Sequence, residues 1–307
     1  MHVYIAHEQG LDFMGDLPPG VDVTVAAQPA LADAAFSGAA FSDVEFWVPP
    51  FLQAPPTQAL SGLPKLRVVQ LLTAGVDAWL GRVPVHVMLC NARGVHTGAT
   101  AEWAVTAILS YLRDFPHFAR AQARREWAYR QTDELAGKRV LVVGAGAIGE
   151  AVAARLKPFE VSLTRVARER RPGVHGVDEL PLLLPQADVV VVIVPLTTNT
   201  TGLVGAAFLA AMKDGALLVN AARGPVVDTA ALTAELASGR LGAALDVTDP
   251  EPLPVGHPLW ELPNLLLTPH VAGSVRGTLR RAYTLVGDQL RRYAARQPLI
   301  NVVSGDY

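Results

Sequence analysis

The chain has 307 residues, of which half are apolar and 18% are charged, a composition that excludes a disordered chain and a disulfide-stabilised miniprotein. Its 26 basic residues nearly balance 28 acidic ones, so the net charge of -2 argues against nucleic-acid and anionic membrane partners and favours a small-molecule ligand. At roughly 100 to 200 residues per domain, this length predicts two domains.

The single cysteine, Cys90, excludes both an intramolecular disulfide and a thiol-rich metal site. The N-terminal sequence MHVYIAHEQG lacks the basic region and sustained apolar run of a signal peptide. The longest apolar run, around residues 189–196, is too short to span a bilayer. We therefore expect a cytoplasmic protein that holds no metal and inserts into no membrane.

Short β-branched segments alternate with Ala- and Leu-rich segments along the first hundred residues. This alternation is typical of a parallel sheet that helices cover on both faces. The predicted strands of this region are Val3–Ala6, Val21–Ala26, Val44–Val48, Leu66–Leu72 and Val85–Leu89.

From Thr100 onward the pattern changes to that of a long helix. Residues 101–127 carry apolar side chains at helical spacing, and Pro116 predicts a kink or break within them. A second series of nearly continuous apolar strands follows, at Arg139–Val143, Val161–Val166, Val189–Val194, Ala216–Asn220, Ala243–Val247 and Leu265–Leu267. The amphipathic segment Ser274–Arg296 comes after this series, and we expect it to form a helix that packs back onto the first domain.

A glycine-rich turn joins the first strand of the second series to a helix. Residues 140–149 read VLVVGAGAIG, which places Gly144, Gly146 and Gly149 in a G-x-G-x-x-G pattern, and Ala147 and Ile148 open the helix. The glycines permit a tight turn, a close approach of the backbone to a pyrophosphate, and close packing of helix on strand. Such a pattern is weak evidence in a loop, but between a strand and a helix it predicts dinucleotide binding.

The residue that reads the adenosine ribose is expected about 20 positions further on, and it is acidic in NAD-specific sites. That position falls near Ala167, where Arg165 and Arg168 flank it and no acid stands. A guanidinium pairs with a 2'-phosphate and a carboxylate repels it, so the sequence favours NADP(H). Two alternatives stay open: Arg165, Arg168, Arg170 and Arg171 form a solvated basic loop, or the nearby Glu169 allows NAD(H).

Polar residues follow three later strands at their carboxyl ends, where open α/β sheets bind ligands. Arg223 lies in LLVNAARGPVVD, Asp246 and Glu251 in ALDVTDPEPLP, and His270 in NLLLTPHVAG. Taken singly, each residue fits a structural role. Taken together beside a dinucleotide turn, Arg223, Glu251 and His270 supply a carboxylate-binding cation, a carboxylate and a proton-transferring imidazole, which is the equipment for reducing a carbonyl.

With these residues the chain resembles the D-isomer-specific 2-hydroxyacid dehydrogenase family over almost its whole length. The matching segments are QLLTAGVD (70–77), NARGVHTGATAEW (91–103), VVGAGAIG (142–149), VPLTTNTTGLV (194–204), NAARGPVVD (220–228), ALDVTDPEPLP (244–254) and NLLLTPHVAG (264–273). The resemblance implies an α/β fold of two Rossmann-like, doubly wound parallel-sheet domains with the active site in the cleft between them. It divides the chain into a discontinuous substrate domain, residues 1–99 plus 274–307, and a dinucleotide-binding domain, residues 100–273.

The resemblance also implies roles for individual residues. Arg223 would bind the substrate carboxylate and carbonyl, His270 would be the general acid and base, and Glu251 would pair with His270. The backbone amides of Ala74, Gly75 and Val76 would hold the same carboxylate. The cofactor-binding set implied beyond the glycine turn and the two arginines is Pro195, Thr200, Ala221, Ala222 and Asp246.

Within the family, the segment TRVARERRPG and the tail WELPNLLLTPH are most similar to the glyoxylate/hydroxypyruvate reductase branch. Glu251 argues against formate dehydrogenases, which have glutamine there, and the end of the chain at Tyr307 argues against long phosphoglycerate dehydrogenases. One departure is Trp103, where many relatives have histidine or a smaller aromatic residue.

The resemblance implies NAD(P)H-dependent reduction of a small 2-oxoacid by a homodimer whose subunits meet along the helix after Thr100. The competing hypotheses are a dinucleotide-binding sensor or corepressor without turnover, and a phosphite dehydrogenase.

Overall fold

The computed structural model describes residues 1–25, 42–51, 60 and 63–304. The last residue of the second predicted strand, Ala26, therefore lies outside the described residues. The chain divides into two compact units, of which the first contains Met1–His96 and Arg276–Tyr307 and the second contains Thr97–Val275. Each unit is built on its own parallel sheet, which confirms the predicted α/β class.

The sheet of the first unit has five parallel strands in the order β2-β1-β3-β4-β5. The strands are β1 (His2–Ile5), β2 (Asp22–Val25), β3 (Val44–Val48), β4 (Val68–Gln70) and β5 (Met88–Cys90). Strand order reverses between β1 and β3, and this is the switch point at which doubly wound sheets bind ligands. The predicted start of β5 at Val85 was wrong, because Val85 is fully exposed and pairing begins at Met88.

Alternate residues of this sheet enter two separate cores, as the two-residue period of a strand requires. Val3, Ile5 and Phe46 point to one face, and Tyr4 and Trp47 point to the other. Helix α7 (Thr278–Ala294) covers the first of these faces with Tyr283, Val286 and Leu290, all fully buried. The predicted return of the last helix to the first domain is therefore what the structure shows.

The sheet of the second unit has seven parallel strands in the order β12-β11-β10-β9-β6-β7-β8. They are β6 (Arg139–Val143), β7 (Ser162–Ala167), β8 (His175–Gly176), β9 (Val189–Val192), β10 (Leu217–Asn220), β11 (Gly242–Leu245) and β12 (Leu265–Leu267). Read from β8, this is the Rossmann order with one further strand, and its switch point lies between β6 and β9. Of these seven strands, only β8 was not predicted from the sequence.

The central strands β6, β9, β10 and β11 are almost entirely buried on both faces, so they read as nearly continuous apolar runs rather than alternating ones. On one face Leu141 and Val190 meet helices α5 (Ala206–Ala211) and α6 (Thr229–Ala237). On the other face Val142 and Val191 meet helices α1 (Thr97–Leu112) and α3 (Ala147–Leu156). The remaining helices are α2 (Phe115–Ala123) and the short α4 (Leu180–Leu183). This two-sided cover makes the sheet doubly wound.

The long helix predicted over residues 101–127 is two helices, α1 and α2. The chain turns at Asp114, which has a left-handed φ of 55°, and Pro116 stands in the first turn of α2, where a missing N–H costs nothing. The predicted helical character of residues 124–127 was wrong. Arg125 has a φ of 60°, and the Glu126 N–H donates to the carbonyl of Ala121, which is the Schellman arrangement that ends a helix.

Candidate active site

The glycine turn lies at the switch point of the second sheet, at the carboxyl end of β6. Gly144 has a φ of +116°, and a Cβ there would stand 2.4 Å from the carbonyl oxygen of Ile193, so no other residue fits. At Gly149 a Cβ would stand 1.9 Å from the Gly144 carbonyl oxygen, because helix α3 begins directly against the turn. These two glycines fix the backbone path.

Gly146 differs from the other two glycines of the turn, since a Cβ there would meet nothing within 4 Å. Gly146 is the N-cap of α3, and no side chain caps that helix end. The first N–H groups of a helix have no partner within the helix, and together with the helix dipole they favour an anion. The turn therefore has both the open space and the donors that a dinucleotide pyrophosphate requires.

Replacing Gly149 with alanine should destabilise the second unit. The added methyl group would overlap the Gly144 carbonyl and force α3 away from β6, at a cost of about 1 to 3 kcal/mol in the free energy of unfolding. Denaturant titration of the native chain and of Gly149→Ala measures this cost. Gly256→Ala is the control for the added methyl group alone, because Gly256, like Gly149, has no positive φ, and no neighbour lies within 4 Å of a Cβ there. Equal losses for the two variants would contradict the close-approach argument.

The arginines after the glycine turn have different environments at the end of β7. The Arg165 guanidinium donates to Glu150 Oε2 at 2.6 Å and to the carbonyl of Gly173 at 3.1 Å. Glu150 lies in the first turn of α3, so the positive charge of Arg165 is paired with a carboxylate of that helix. Arg168 is exposed. Arg171, which sequence analysis considered only as part of a basic loop, donates to the Ala145 carbonyl inside the glycine turn at 2.6 Å. The sequence alone does not indicate which of these arginines contacts the glycine turn.

The loop after β10 presents Arg223. The buried Asn220 side chain accepts from the Ala222 N–H at 3.0 Å and donates to the Arg223 carbonyl at 3.2 Å, so it fixes the turn from inside. A Cβ on Gly224 would stand 1.9 Å from the Thr248 carbonyl oxygen. The loops after β10 and β11 thus touch directly, and this contact places Arg223 beside the segment that carries Glu251.

Asp246, at the end of β11, organises the loop that contains His270. The residue is 3% exposed, and its side chain accepts from the Thr268 hydroxyl at 2.7 Å and from the N–H groups of Val271 and Ala272 at 2.8 and 2.9 Å. Its backbone carbonyl accepts from the His270 N–H at 2.7 Å. Asp246 was predicted to contact the cofactor; in the structure its contacts hold the backbone of His270 and of the residues around it in place.

His270 and Glu251 form a hydrogen-bonded pair at a distance of 2.6 Å between Nδ1 and Oε1. An ionised carboxylate only accepts, so Nδ1 carries the donated hydrogen and Nε2 is the ring nitrogen that faces away from Glu251. Both side chains keep some exposure to solvent, 28% for His270 and 41% for Glu251. The backbone of His270 has a φ of 53°, which the contacts to Asp246 hold. The pair has the geometry of an oriented general acid and base.

The predicted residues after β9 belong to a tight loop. The Thr200 hydroxyl donates to the Pro195 carbonyl at 2.6 Å and accepts from the Thr197 N–H at 2.8 Å. Ala221 and Ala222 follow β10 at the same carboxyl edge of the sheet. All four predicted positions, Pro195, Thr200, Ala221 and Ala222, therefore lie on loops at the edge that carries the glycine turn.

In the first unit, residues 74–76 follow β4. The Thr73 hydroxyl donates to the Gly75 carbonyl at 2.9 Å, and the Asn91 side chain donates to the Ala74 carbonyl at 3.0 Å. Val76 is fully buried. These hydrogen bonds to the carbonyls of Ala74 and Gly75 fix the loop at the carboxyl edge of the first sheet. The binding of a carboxylate by the backbone amides of the loop stays a prediction.

No cluster of three or more His, Cys, Asp or Glu side chains has the arrangement of a metal site within residues 1–25, 42–51, 60 and 63–304. Across those same ranges, no helix has the length and apolar character needed to cross a membrane.

Known proteins of one family resemble this chain in sequence and in structure. A family model described as D-isomer specific 2-hydroxyacid dehydrogenase, NAD binding domain, matches residues 105–272. A glyoxylate/hydroxypyruvate reductase A from Salmonella choleraesuis is 36% identical over 240 residues, which are 72% of this chain and 75% of that protein.

Solved structures agree over nearly the whole length. A D-isomer specific 2-hydroxyacid dehydrogenase from Xanthobacter autotrophicus, in complex with NADPH and MES, is 34% identical with a TM-score of 0.84 and covers 99% of this chain and 97% of its own. An NADPH-dependent glyoxylate/hydroxypyruvate reductase from Sinorhizobium meliloti, in complex with NADP and sulfate, is 28% identical with a TM-score of 0.83 and covers 99% and 98%. The chain therefore belongs to the D-isomer specific 2-hydroxyacid dehydrogenases, a family of NAD(P)-dependent oxidoreductases.

Proposed function

We propose that the chain reduces a small 2-oxoacid of the glyoxylate or hydroxypyruvate type to the D-2-hydroxyacid, with NADPH as the preferred cofactor. The observation that carries this proposal is the pair His270 Nδ1 and Glu251 Oε1 at 2.6 Å, on the loops next to Arg223. A protein that only senses a dinucleotide has no need for an imidazole oriented by a carboxylate. The relatives named as glyoxylate/hydroxypyruvate reductases support the same substrate class.

Three side chains of the second unit, Arg223, His270 and Glu251, have separate roles in the proposed reaction. Arg223 binds the substrate carboxylate and polarises the ketone, so the charge that develops on the oxygen meets a fixed cation. His270 gives the Nε2 proton to that oxygen as it becomes a hydroxyl, and Glu251 holds the ring and stabilises the imidazolium before transfer. The bound cofactor supplies the hydride that the carbonyl carbon receives. In sum, one 2-oxoacid, one NADPH and one proton give one 2-hydroxyacid and one NADP⁺.

Cofactor binding is assigned to the glycine turn and to the loop after β7. The N–H groups of Ala147, Ile148 and Gly149 would hold the pyrophosphate at the N-terminus of α3. Arg165 and Arg168 would hold the 2'-phosphate of NADPH, Arg168 as an exposed side chain and Arg165 by exchanging its contact with Glu150.

Replacing both arginines should change cofactor preference. In Arg165→Ala/Arg168→Ala the Kd of NADPH should rise at least tenfold more than that of NADH, since a lost charged hydrogen bond is worth about 1.5 to 3 kcal/mol and only NADPH carries the 2'-phosphate. Fluorescence titration of each cofactor against each protein measures the difference. Arg120→Ala/Arg125→Ala removes the same charge from exposed positions outside the loop and is the matched control. Equal rises in the Kd of NADPH and of NADH would contradict the assignment of Arg165 and Arg168 to the 2'-phosphate.

A substrate panel tests the proposed function directly. Glyoxylate, hydroxypyruvate, pyruvate and longer 2-oxoacids are each assayed with NADPH and with NADH. We expect the highest kcat/KM for glyoxylate or hydroxypyruvate with NADPH. Tight nucleotide binding without turnover of any 2-oxoacid would instead support a sensor, and phosphite-dependent reduction of NAD⁺ would support a phosphite dehydrogenase.

The homodimer and the cytoplasmic location stay predictions. The homodimer was inferred from the family resemblance of the segment that forms α1, and light scattering of the purified chain tests it. A monomer at micromolar concentration would contradict the homodimer.

A further inference from the structure

Arg171 contacts the glycine turn from a short hairpin in the segment between β7 and β8. Its guanidinium donates to the Ala145 carbonyl at 2.6 Å. The hairpin closes with two backbone bonds: the Arg171 N–H donates to the Val174 carbonyl at 3.0 Å, and the Val174 N–H donates to the Arg171 carbonyl at 2.8 Å. Gly173 has a φ of 74°, which the third residue of a type II turn requires. The backbone that carries Arg171 is therefore fixed.

A second contact connects this hairpin to helix α3. Arg165, on β7, donates to the Gly173 carbonyl at 3.1 Å and to Glu150 Oε2, in the first turn of α3, at 2.6 Å. When Arg165 exchanges Glu150 for the 2'-phosphate of NADPH, as proposed above, this link between the hairpin and α3 is lost. The bond from Arg171 to the Ala145 carbonyl still holds the hairpin against the glycine turn.

The peptide between Ala145 and Gly146 has two possible orientations. A trans peptide is planar, and its N–H points opposite to its carbonyl, so a rotation of the peptide by about 180° exchanges the two groups. This rotation takes the φ of Gly146 from -88° to a positive value, which glycine adopts without strain. The missing Cβ at Gly146, which gives a pyrophosphate room, therefore also permits the peptide to reverse.

The orientation of this peptide decides whether the turn attracts or repels an anion. In the structure the carbonyl oxygen of Ala145 points to the Arg171 guanidinium, and the Gly146 N–H consequently points away from it. The reversed peptide would lose the bond to Arg171 and would turn its oxygen, the negative end of the peptide dipole, to the side that the N–H now faces. A phosphate on that side gains a donor in the first orientation and meets a negative partial charge in the second.

We propose that Arg171 is a positioning residue of the cofactor site: it selects the orientation in which the Gly146 N–H, alongside the first N–H groups of α3, faces the cofactor pyrophosphate. This inference rests on the part of the proposed function that places the pyrophosphate at the glycine turn. A turn already held in its binding orientation loses no affinity to the reversed population. Since NADPH and NADH share the pyrophosphate, Arg171 acts on both, whereas Arg165 and Arg168 distinguish them.

Arg171→Met tests the inference, because it removes the donor and the charge and keeps a long apolar side chain. Fluorescence titration should show the Kd of NADPH and of NADH rising by the same factor, about tenfold, which corresponds to about 1.4 kcal/mol for one charge-assisted hydrogen bond. In steady-state assays the effect should appear in the KM of the cofactor far more than in kcat. Arg171→Lys should recover most of the affinity, because its ammonium can donate to the same carbonyl.

Arg170→Met is the matched control, since it removes the same charge from the neighbouring residue. The Arg170 side chain is 77% exposed, and its guanidinium lies 4.0 Å from Glu179. Each Kd should change by less than about twofold in this variant, as expected for an exposed and screened charge. Equal rises in Arg171→Met and Arg170→Met would indicate a general effect of charge and would overturn the inference.

Two other results of the titrations would also overturn it. A rise confined to NADPH would assign Arg171 to the 2'-phosphate, and unchanged Kd values in Arg171→Met would remove it from the cofactor site. Both results leave the proposed function intact. Conversely, the expected rises in a chain that turns over no 2-oxoacid would support the inference and contradict the proposed function.

Carbon-13 NMR of the cofactor-free chain adds a readout that needs neither cofactor nor turnover. A hydrogen bond to a carbonyl oxygen deshields its carbon, so the carbonyl resonance of Ala145 should move upfield in Arg171→Met and should stay in place in Arg170→Met. A resonance that does not move in Arg171→Met would overturn the inference.

Discussion

His270→Gln should lower kcat by about three orders of magnitude, within the range that a general acid contributes. The glutamine amide is close in size to the imidazole and can still bond to Glu251, but it has no proton to give at the pH of the assay. Hydride transfer then generates an alkoxide that only water can protonate. Because His270 lies on the loop that Asp246 holds, and Asp246 is unchanged, the backbone at the site should keep its position.

The measurement is steady-state reduction of glyoxylate and hydroxypyruvate with NADPH, together with fluorescence titration of NADPH. The Kd of NADPH should stay within about threefold of the native value, since the proposed cofactor contacts are on the glycine turn and the loop after β7. His86→Gln serves as the exposed histidine control. Turnover near the native rate in His270→Gln would exclude His270 as the acid.

Arg223→Gln should lower kcat/KM by about 10³-fold or more, equivalent to about 4 kcal/mol of transition-state stabilisation. The guanidinium is proposed to bind the carboxylate in the ground state and the developing oxyanion in the transition state, so KM should rise and kcat should fall together. Arg223→Lys keeps the charge but loses the planar fork, and we expect it to recover only part of the loss.

The same substrates and NADPH provide the measurement, with a thermal unfolding curve for each variant. The turn that presents Arg223 is fixed by Asn220 and by the close approach of Gly224 to Thr248, so the unfolding midpoint should change little. Arg120→Gln, on the exposed surface of α2, controls for the lost charge. An unchanged kcat/KM in Arg223→Gln would place this arginine outside the substrate site.

The buried parallel strands were the most predictable part of the fold. The bounds of β3, β6 and β12 agree with the sequence prediction, because each is a short, mostly apolar run that a proline pair, a glycine turn or a polar residue directly follows. The edge strand β8 has two residues, too few to show a period, and its existence depends on pairing with β7. The end of α2 was missed because Arg125 adopts a left-handed backbone, for which the sequence has no glycine as a signal.

The residues of the candidate site could be predicted from the sequence, but the contacts that hold them in place could not. Strand ends and family resemblance pointed to Arg223, Glu251 and His270. The roles of Asp246 as an acceptor for three donors and of Gly224 as a contact point depend on loops that are more than 20 residues apart in sequence and meet only in the folded sheet.

The position of the His270–Glu251 pair and Arg223 on adjacent strand ends of one unit has a consequence for how such an enzyme diversifies. The groups proposed for proton transfer and charge stabilisation are all encoded between residues 220 and 270, on loops that brace one another. Substitutions elsewhere in the chain can therefore accumulate while these loops, and the chemical step proposed for them, are inherited intact.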